Sequence, residues 1–165
     1  THPTGAKHEV GSMNADHEIF MHQAVDQAAK ALANGEVPVG AIVVNNGYAI
    51  GTGFNQPVGR SDPTAHAEVI ALRKAAHHVG NYRLTGATVY VTIEPCLMCA
   101  GAMVHARIGT LVFGALEPRT GVVRSRMRVL DEAFQNHRVE VVEGVLEEQC
   151  RSMIQTFFAD RRKSL

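Results

Sequence analysis

The chain has no net charge, because 16 Lys and Arg residues balance 16 Asp and Glu residues over its 165 residues. A uniformly basic surface for nucleic acid is therefore excluded, and any such partner must be met by a local patch. Long apolar runs are also missing, since no stretch reaches the roughly 18 apolar residues that a membrane helix needs. The N-terminus has no apolar h-region either. We therefore predict neither a membrane span nor a signal peptide.

Cysteine is scarce. The sequence has 3 cysteines, so they cannot all form disulfides with one another. Cys96 and Cys99 lie in a Pro-Cys-x-x-Cys segment that suits metal binding, and this use of thiols indicates a reducing, cytoplasmic location. Cys150 lies in an apolar stripe near the C-terminus, where we expect a small buried core residue.

Residues 1–12 are polar and show no periodicity, which predicts a disordered leader. Gly11-Ser12-Met13 resembles a cloning junction before a natural start methionine, although a native extension would look the same. Residues 13–165 have the length and apolar fraction of one globular domain with a complete core.

Helical and strand patterns alternate along this domain. Apolar residues recur at helical spacing from Ile19 to Leu32, and Asn34-Gly35 ends that pattern. Strands over 40–44 and 48–52 are joined by Asn45-Asn46-Gly47, which predicts a tight hairpin. The later predicted elements are a helix over 62–78, a strand over 88–93, a helix over 96–106, a strand over 110–115, a short helix over 125–134, a strand over 138–143 and a helix over 146–162. This order predicts an α/β fold with three α/β/α layers, in which helices cover both faces of a five-stranded mixed sheet.

Four side chains form the most informative pattern. His66, Cys96 and Cys99 supply a neutral imidazole and two thiolates, which are good ligands for Zn²⁺. A structural zinc site has four protein ligands, whereas a catalytic site has three and keeps the fourth position for water. Glu68 lies two residues after His66, where its carboxylate can take a proton from that water. The pattern therefore indicates a hydrolytic zinc centre with one Zn²⁺ per chain.

The pattern is specific because two motifs occur together. A lone Cys-x-x-Cys is more often a structural zinc or redox motif, but His-x-Glu followed by Pro-Cys-x-x-Cys is the signature of zinc-dependent nucleobase deaminases. Both ligand segments are predicted at the starts of helices that follow strands, so the carboxyl edge of the sheet should bring them together. Free N–H groups at the second of these helices would stabilise the thiolates.

The chain resembles the cytidine-deaminase-like superfamily and, within it, the bacterial tRNA adenosine deaminases (the TadA family). The resemblance covers nearly everything from Asp16 to Lys163, and it is carried by segments beyond the zinc motif, among them Asp62-Pro63-Thr64 and Asn136-His137-Arg138. The segments concerned are residues 36–41, 62–68, 81–84, 94–103 and 136–139.

This resemblance implies a cytidine-deaminase-like fold and hydrolytic conversion of adenosine to inosine at the wobble position of a tRNA anticodon. It also implies a homodimer that binds a tRNA anticodon stem-loop. By resemblance, His66, Cys96 and Cys99 hold zinc, and Glu68 is the catalytic proton carrier. Substrate contacts are implied for Asn55, Val37, Pro38 and Ala67. Asn55 could instead close the turn after the second strand, and Val37 with Pro38 could be packing at a strand entry.

RNA contacts are predicted from a local basic cluster. Arg119, Arg124, Arg126 and Arg128 follow the fourth predicted strand, and in a neutral chain such a cluster favours a phosphate footprint. A solvated face is the ordinary alternative. Glu117 in the same loop stands where the family usually has Asp, and its carboxylate could accept a hydrogen bond from a ribose 2′-hydroxyl. We therefore count Glu117, Arg119, Arg126 and Arg128 among the candidate substrate-binding residues.

Two other functions remain open from the sequence. One is a guanine or cytidine-type deaminase that acts on a free base or nucleoside with the same zinc chemistry. The other is a zinc-stabilised RNA-binding module without activity, although such a module has no need for Glu68. The apolar segment 97–104 agrees with a homodimer, since a helix that is apolar nearly all round is usually covered on every side.

Overall fold

The computed structural model describes residues 5–132 and 136–164. Five strands form one sheet in the order β2-β1-β3-β4-β5. Strand β1 is antiparallel to both β2 and β3, whereas β3, β4 and β5 are parallel, so the sheet is mixed as predicted. The elements are α1 (Gly5–Ala33), β1 (Gly40–Asn45), β2 (Tyr48–Phe54), α2 (Pro57–Arg60), α3 (Ala67–Val79), β3 (Thr88–Ile93), α4 (Leu97–His105), β4 (Thr110–Ala115), a 3-10 turn (Val129–Asp131), β5 (Glu140–Glu143) and α5 (Glu147–Lys163).

Helices cover both faces of the sheet, which confirms the three-layer α/β/α prediction. Helices α3 and α4 pack on one face around a core that includes Met103 and Phe113. Helices α1 and α5 pack on the other face, where the core includes Met21 and the predicted buried thiol of Cys150. Among the described residues, no helix is long and apolar enough to cross a bilayer.

Helix α1 begins within the segment predicted as a leader. Its first residue is Gly5, and residues 1–4 lie outside the described residues. Gly5 and Gly11 each weaken a helix by only about 1 kcal/mol relative to alanine, so they do not prevent it. The division at residue 13 into a leader and a deaminase domain stays a prediction.

Two helix predictions need correction. The helix expected over 62–78 begins at Ala67, because the Asp62 carboxylate accepts hydrogen bonds from the backbone N–H and hydroxyl of Thr64 and holds a turn there. In the segment expected as a short helix over 125–134, the only helical residues that the structure describes form the 3-10 turn Val129–Asp131, and residues 133–135 lie outside the described part. A short helix, α2, was not predicted at all.

Glycines in β2 fix the height of α3 above the sheet. A Cβ atom at Gly53 would collide with the carbonyl oxygen of Ala67, and one at Gly51 would collide with that of Ala71. The backbone of α3 therefore rests directly on β2, which positions the first turn of α3 and the residues that begin it.

Candidate active site

Three metal-ligating side chains meet at one edge of the sheet. Strand β2 and strand β3 are both antiparallel to β1, so they point the same way and their carboxyl ends lie at the same edge. Helix α3 follows β2 with His66 as its N-cap, and α4 follows β3 with Cys96 as its N-cap and Cys99 in its first turn. Nδ1 of His66 lies 3.6 Å from Sγ of Cys96 and 3.5 Å from Sγ of Cys99.

This cluster fits a tetrahedral metal ion. Zn–N and Zn–S bonds at the tetrahedral angle place nitrogen and sulfur about 3.6 Å apart, which agrees with both separations. All three ligand atoms lie within 4.8 Å of one another. Hydrogen bonds from Cys99 and His66 lower the pKa of Cys96 to about 4, whereas the contact with Cys96 and burial raise the pKa of Cys99, so without a metal only Cys96 favours the thiolate form. His66, Cys96 and Cys99 can therefore hold a metal ion with one position left open.

Glu68 lies in the first turn of α3, two residues after His66, and its side chain is only 3% exposed. Burial raises the pKa of this carboxyl group, because the charged form loses hydration. Glu68 therefore brings a buried carboxyl group beside the side chains of His66, Cys96 and Cys99.

A cavity of about 130 Å³ opens at this point. Asn55 and Val37, two of the candidate substrate contacts, line it together with Glu117 from the loop after β4. Pro38 and Ala67 are buried and are not among the lining residues, so their predicted substrate contacts stay predictions. The complete lining is Val37, Val39, Asn55, His66, Glu68, Ile93, Glu94, Cys96, Glu117 and Thr120.

Asn55 has a structural contact that agrees with the turn-closing alternative. Its Oδ1 accepts a hydrogen bond of 2.8 Å from the backbone N–H of Ala67, the first residue of α3. This contact satisfies one of the N–H groups that a helix start leaves unpaired. Its amide nitrogen keeps both N–H donors for a further partner. Asn55 can therefore support the helix start and present a donor to the cavity at once.

The loop arginines do not act as one cluster. Arg119 lines a second cavity of about 700 Å³ between this loop and α5, where Arg162 and Phe158 also lie. Arg124 turns away and pairs with Glu143 at 3.3 Å. Arg126 and Arg128 line neither cavity, and Arg128 pairs with Asp131 at 3.3 Å, so their contacts with RNA remain predictions.

We name the second cavity, which Arg119, Phe158 and Arg162 line, the α5 groove. Glu117 and Thr120 line both cavities, so the two spaces adjoin.

Two buried carboxylates were overlooked as site residues. Glu36 accepts hydrogen bonds from the N–H groups of Val58 and Gly59 and so holds α2. Glu94 lines the cavity and binds the loop after β4. Burial raises the pKa of Glu94, but hydrogen bonds from Ser125, Arg124 and Glu117 outweigh this effect and lower the pKa below its ordinary value. Only one sequence signal points to Glu94, an acid directly after a strand and before Pro95-Cys96.

His137 of the Asn-His-Arg segment has a structural contact. Its Nε2 lies 2.6 Å from the carbonyl oxygen of Ile108, which precedes β4. The segment that leads into β5 is thereby tied to the strand beside it.

Comparison with known proteins identifies the class. The family model of MafB19-like deaminases matches residues 15–162. The chain therefore belongs to that deaminase class, and the cluster of His66, Cys96 and Cys99, which could hold a metal ion beside the buried Glu68, agrees with it.

Individual relatives narrow the identification. The chain is 50% identical to a tRNA-specific adenosine deaminase of Haemophilus influenzae over 88% of this chain and 85% of the relative. It is 45% identical to one of Bacillus subtilis over 88% and 91% of the two chains. The chain belongs to the family of tRNA-specific adenosine deaminases.

Solved structures share the fold, and one of them comes from the same family. A structure from a study of A-to-I editing by tRNA:A34 deaminases at the wobble position matches with a TM-score of 0.79 and 39% identity, over 81% of this chain and 97% of that one. A guanine deaminase from Bacillus subtilis matches with a TM-score of 0.58 and 32% identity, over 67% and 82%.

Proposed function

We propose that this protein converts adenosine to inosine at the wobble position of a tRNA anticodon, with one zinc ion per chain. The observation that carries the proposal is the buried Glu68 carboxylate in the same cavity as His66 and Cys96. The named relatives, which act on tRNA adenosine by their descriptions, support the choice of substrate.

The chemistry assigned to each residue follows from its contacts. Zinc held by His66, Cys96 and Cys99 would acidify a water molecule and so supply the nucleophile for C6 of adenine. Glu68 would accept the proton of that water, deliver it to the ring nitrogen and assist departure of the amine as ammonia. Asn55 would donate its free amide N–H to the base. Val37 would contact the base from the apolar side of the cavity.

We place the RNA strand across the loop after β4. A flipped base in the smaller cavity would leave its neighbours over Glu117 and Thr120, which lead into the α5 groove. Arg119 and Arg162 would contact phosphates there, and Phe158 would offer a ring face for stacking. A cytoplasmic location follows from this substrate and from the need for reduced thiolates.

The direct test is incubation with an anticodon stem-loop that carries a wobble adenosine, followed by nucleoside analysis for inosine. Free guanine and free cytidine are offered in parallel, because the likeness to a guanine deaminase makes a free base the competing substrate. Inosine from the stem-loop with both free substrates unchanged is the expected result. Turnover of a free substrate with an intact stem-loop would replace the proposal by a free-base or nucleoside deaminase.

Glu117→Gln is expected to narrow the ratio of RNA to DNA deamination rates. The Glu117 carboxylate accepts the backbone N–H of Arg119 at 2.9 Å, and a glutamine oxygen can keep that bond while the negative charge disappears. The Glu117 charge repels the phosphates of both RNA and DNA. Only RNA has a 2′-hydroxyl that can donate a hydrogen bond to this carboxylate and offset the repulsion. Single-turnover rates on matched RNA and DNA stem-loops measure the ratio. An unchanged ratio would remove Glu117 from substrate discrimination.

The arginines of the α5 groove are expected to set the salt dependence of RNA binding. Arg119→Ala or Arg162→Ala should flatten the plot of log affinity against log salt by about 0.7 to 0.9 for each phosphate that the variant no longer neutralises. Lys30→Ala on α1 is the matched control, because it removes one positive charge from an exposed residue that lines neither cavity. Equal salt slopes for all three variants would mean that Arg119 and Arg162 form a solvated face and contact no phosphate.

We propose a homodimer through the outer face of α3 and α4. An apolar depression lies between these helices and is lined by residues that include Val69, Ala76 and Ala102. Leu97 nearby is 58% exposed. Light scattering should give about twice the chain mass of 17.8 kDa. Ala76→Glu should shift the mass toward one chain, since it places a charge in the depression. A single-chain mass for the unsubstituted protein at micromolar concentration would refute the dimer.

A further inference from the structure

The loop of residues 117–125, which we name the 117–125 loop, is folded around one buried carboxylate. Glu94 directly follows β3 and is 2% exposed. Its Oε2 accepts the backbone N–H groups of Val123, Arg124 and Ser125 at 3.0, 2.7 and 2.9 Å. Its Oε1 accepts the N–H of Glu117 at 3.1 Å and the hydroxyl of Ser125. Both ends of the loop are therefore bound to the same side chain.

These hydrogen bonds take the place of an ion pair. In the part of the chain that the structure describes, no salt bridge involves Glu94. A buried carboxylate is tolerated only when hydrogen bonds compensate its lost hydration, and here five donors do so. The loop also fits closely, because a Cβ atom at Gly121 would collide with the Glu94 carboxyl group. The loop conformation is thus determined by this carboxylate rather than by regular secondary structure.

The outer side of the same loop faces the substrate spaces. Glu117 and Thr120 line the active-site cavity, and Arg119 lines the α5 groove. Among these three residues, the Glu94 side chain binds only Glu117, through its backbone N–H. A change in the Glu94 contacts would therefore move Glu117, Arg119 and Thr120 relative to His66, Cys96 and Cys99.

We propose that Glu94 is a positioning residue that holds the 117–125 loop in the conformation that binds the RNA strand. This inference rests on the proposed function, because it assigns the loop to the RNA backbone on either side of the flipped base. It predicts that disruption of the Glu94 hydrogen bonds weakens RNA binding more than it slows the chemical step.

Glu94→Gln separates the two halves of this hydrogen-bond set. Glutamine has one oxygen, so it can accept either from the three N–H groups now on Oε2 or from the Glu117 N–H and the Ser125 hydroxyl. The first choice satisfies more donors, and Ser125 can rotate to accept from the new amide. The Glu117 N–H then faces another donor and has no acceptor. Release should therefore start at Glu117, the residue that lines both cavities.

Amide hydrogen exchange measured by NMR tests the loop without substrate. In Glu94→Gln the Glu117 amide should exchange at least about tenfold faster, because its bond to a charged acceptor is broken. Glu36→Gln is the matched control, since it alters another buried carboxylate that binds a different loop, and it should accelerate exchange at Val58 and Gly59 while leaving the 117–125 loop protected. Ser125→Ala removes only the hydroxyl donor and should give a smaller acceleration. Unchanged exchange at Glu117 in Glu94→Gln would overturn the proposal.

Kinetics on the zinc-loaded enzyme separate positioning from a general loss of structure. Glu94→Gln should raise KM for the stem-loop at least about tenfold and change kcat by less. Zinc content and the visible spectrum of the cobalt-substituted protein should stay unchanged, which excludes an effect through Cys96. A fall in kcat alone, or an altered cobalt spectrum, would overturn the positioning role. The exchange experiment needs no substrate, so it tests the role of Glu94 even if the unsubstituted protein forms no inosine. Failure of the proposed function is therefore distinguishable from failure of this inference.

Discussion

Glu68→Gln is expected to slow inosine formation by about 10² to 10⁴-fold while RNA binding persists. Glutamine has nearly the shape of glutamate, so it leaves no void at a side chain that is only 3% exposed. It cannot accept the proton of the attacking water, however, and both attack and departure of ammonia depend on that transfer. Single-turnover rates and binding isotherms on the same stem-loop measure the two effects separately.

The variant must also keep its metal, because Glu68 is not among the side chains that form the ligand cluster. Bound zinc should therefore equal that of the unsubstituted protein. An unchanged rate would disprove the role of Glu68 as proton carrier. Loss of zinc would instead make this carboxylate a ligand.

Cys99→Ala is expected to abolish both zinc retention and activity. Two ligands remain in this variant, and a catalytic zinc site needs three from the protein. The free energy of unfolding should fall as well, because the bound metal ties α3 to α4 and this binding free energy stabilises only the folded state. Metal analysis after dialysis and thermal unfolding with and without a chelator measure these losses.

Cys150→Ala is the matched control for that experiment. Cys150 is 1% exposed within the core under α1 and α5, and burial raises its pKa to about 12, so it stays a neutral thiol. The control should keep one zinc per chain and remain active. Equal metal loss in both variants would mean that the cysteine ligands are wrongly assigned.

The sequence alone was sufficient to predict the five-stranded sheet and the cluster of candidate metal ligands. Each of the five strands was predicted at or near its place because short β-rich runs lie between clear turn signals. The cluster followed from two motifs at the starts of helices, since strands that point the same way bring such helix starts to one edge. His66, Cys96 and Cys99 indeed lie together there.

Sequence patterns could not describe the segments that side chains hold by long-range contacts. The chain over 125–134 has helical spacing, yet its described residues contain only the 3-10 turn Val129–Asp131. The residues before that turn, Val123, Arg124 and Ser125, donate their N–H groups to Glu94, about 30 residues earlier in the chain, and no local pattern reports such a contact. Helix α2 depends in the same way on Glu36, which lies 22 residues before Val58 in the chain. The four loop arginines looked alike in sequence, but only partners such as Glu143 and Asp131 show which of them are already paired.

The most direct test of the account is single-turnover deamination of a wobble-adenosine stem-loop in water enriched in heavy oxygen. Nucleosides are then analysed by mass spectrometry. Hydrolysis at C6 predicts inosine at the wobble position with the heavy isotope in its base, and no product from a stem-loop whose only adenosines lie outside that position. Unlabelled inosine would contradict hydrolytic attack by water, and equal conversion of the second stem-loop would contradict recognition of the wobble base.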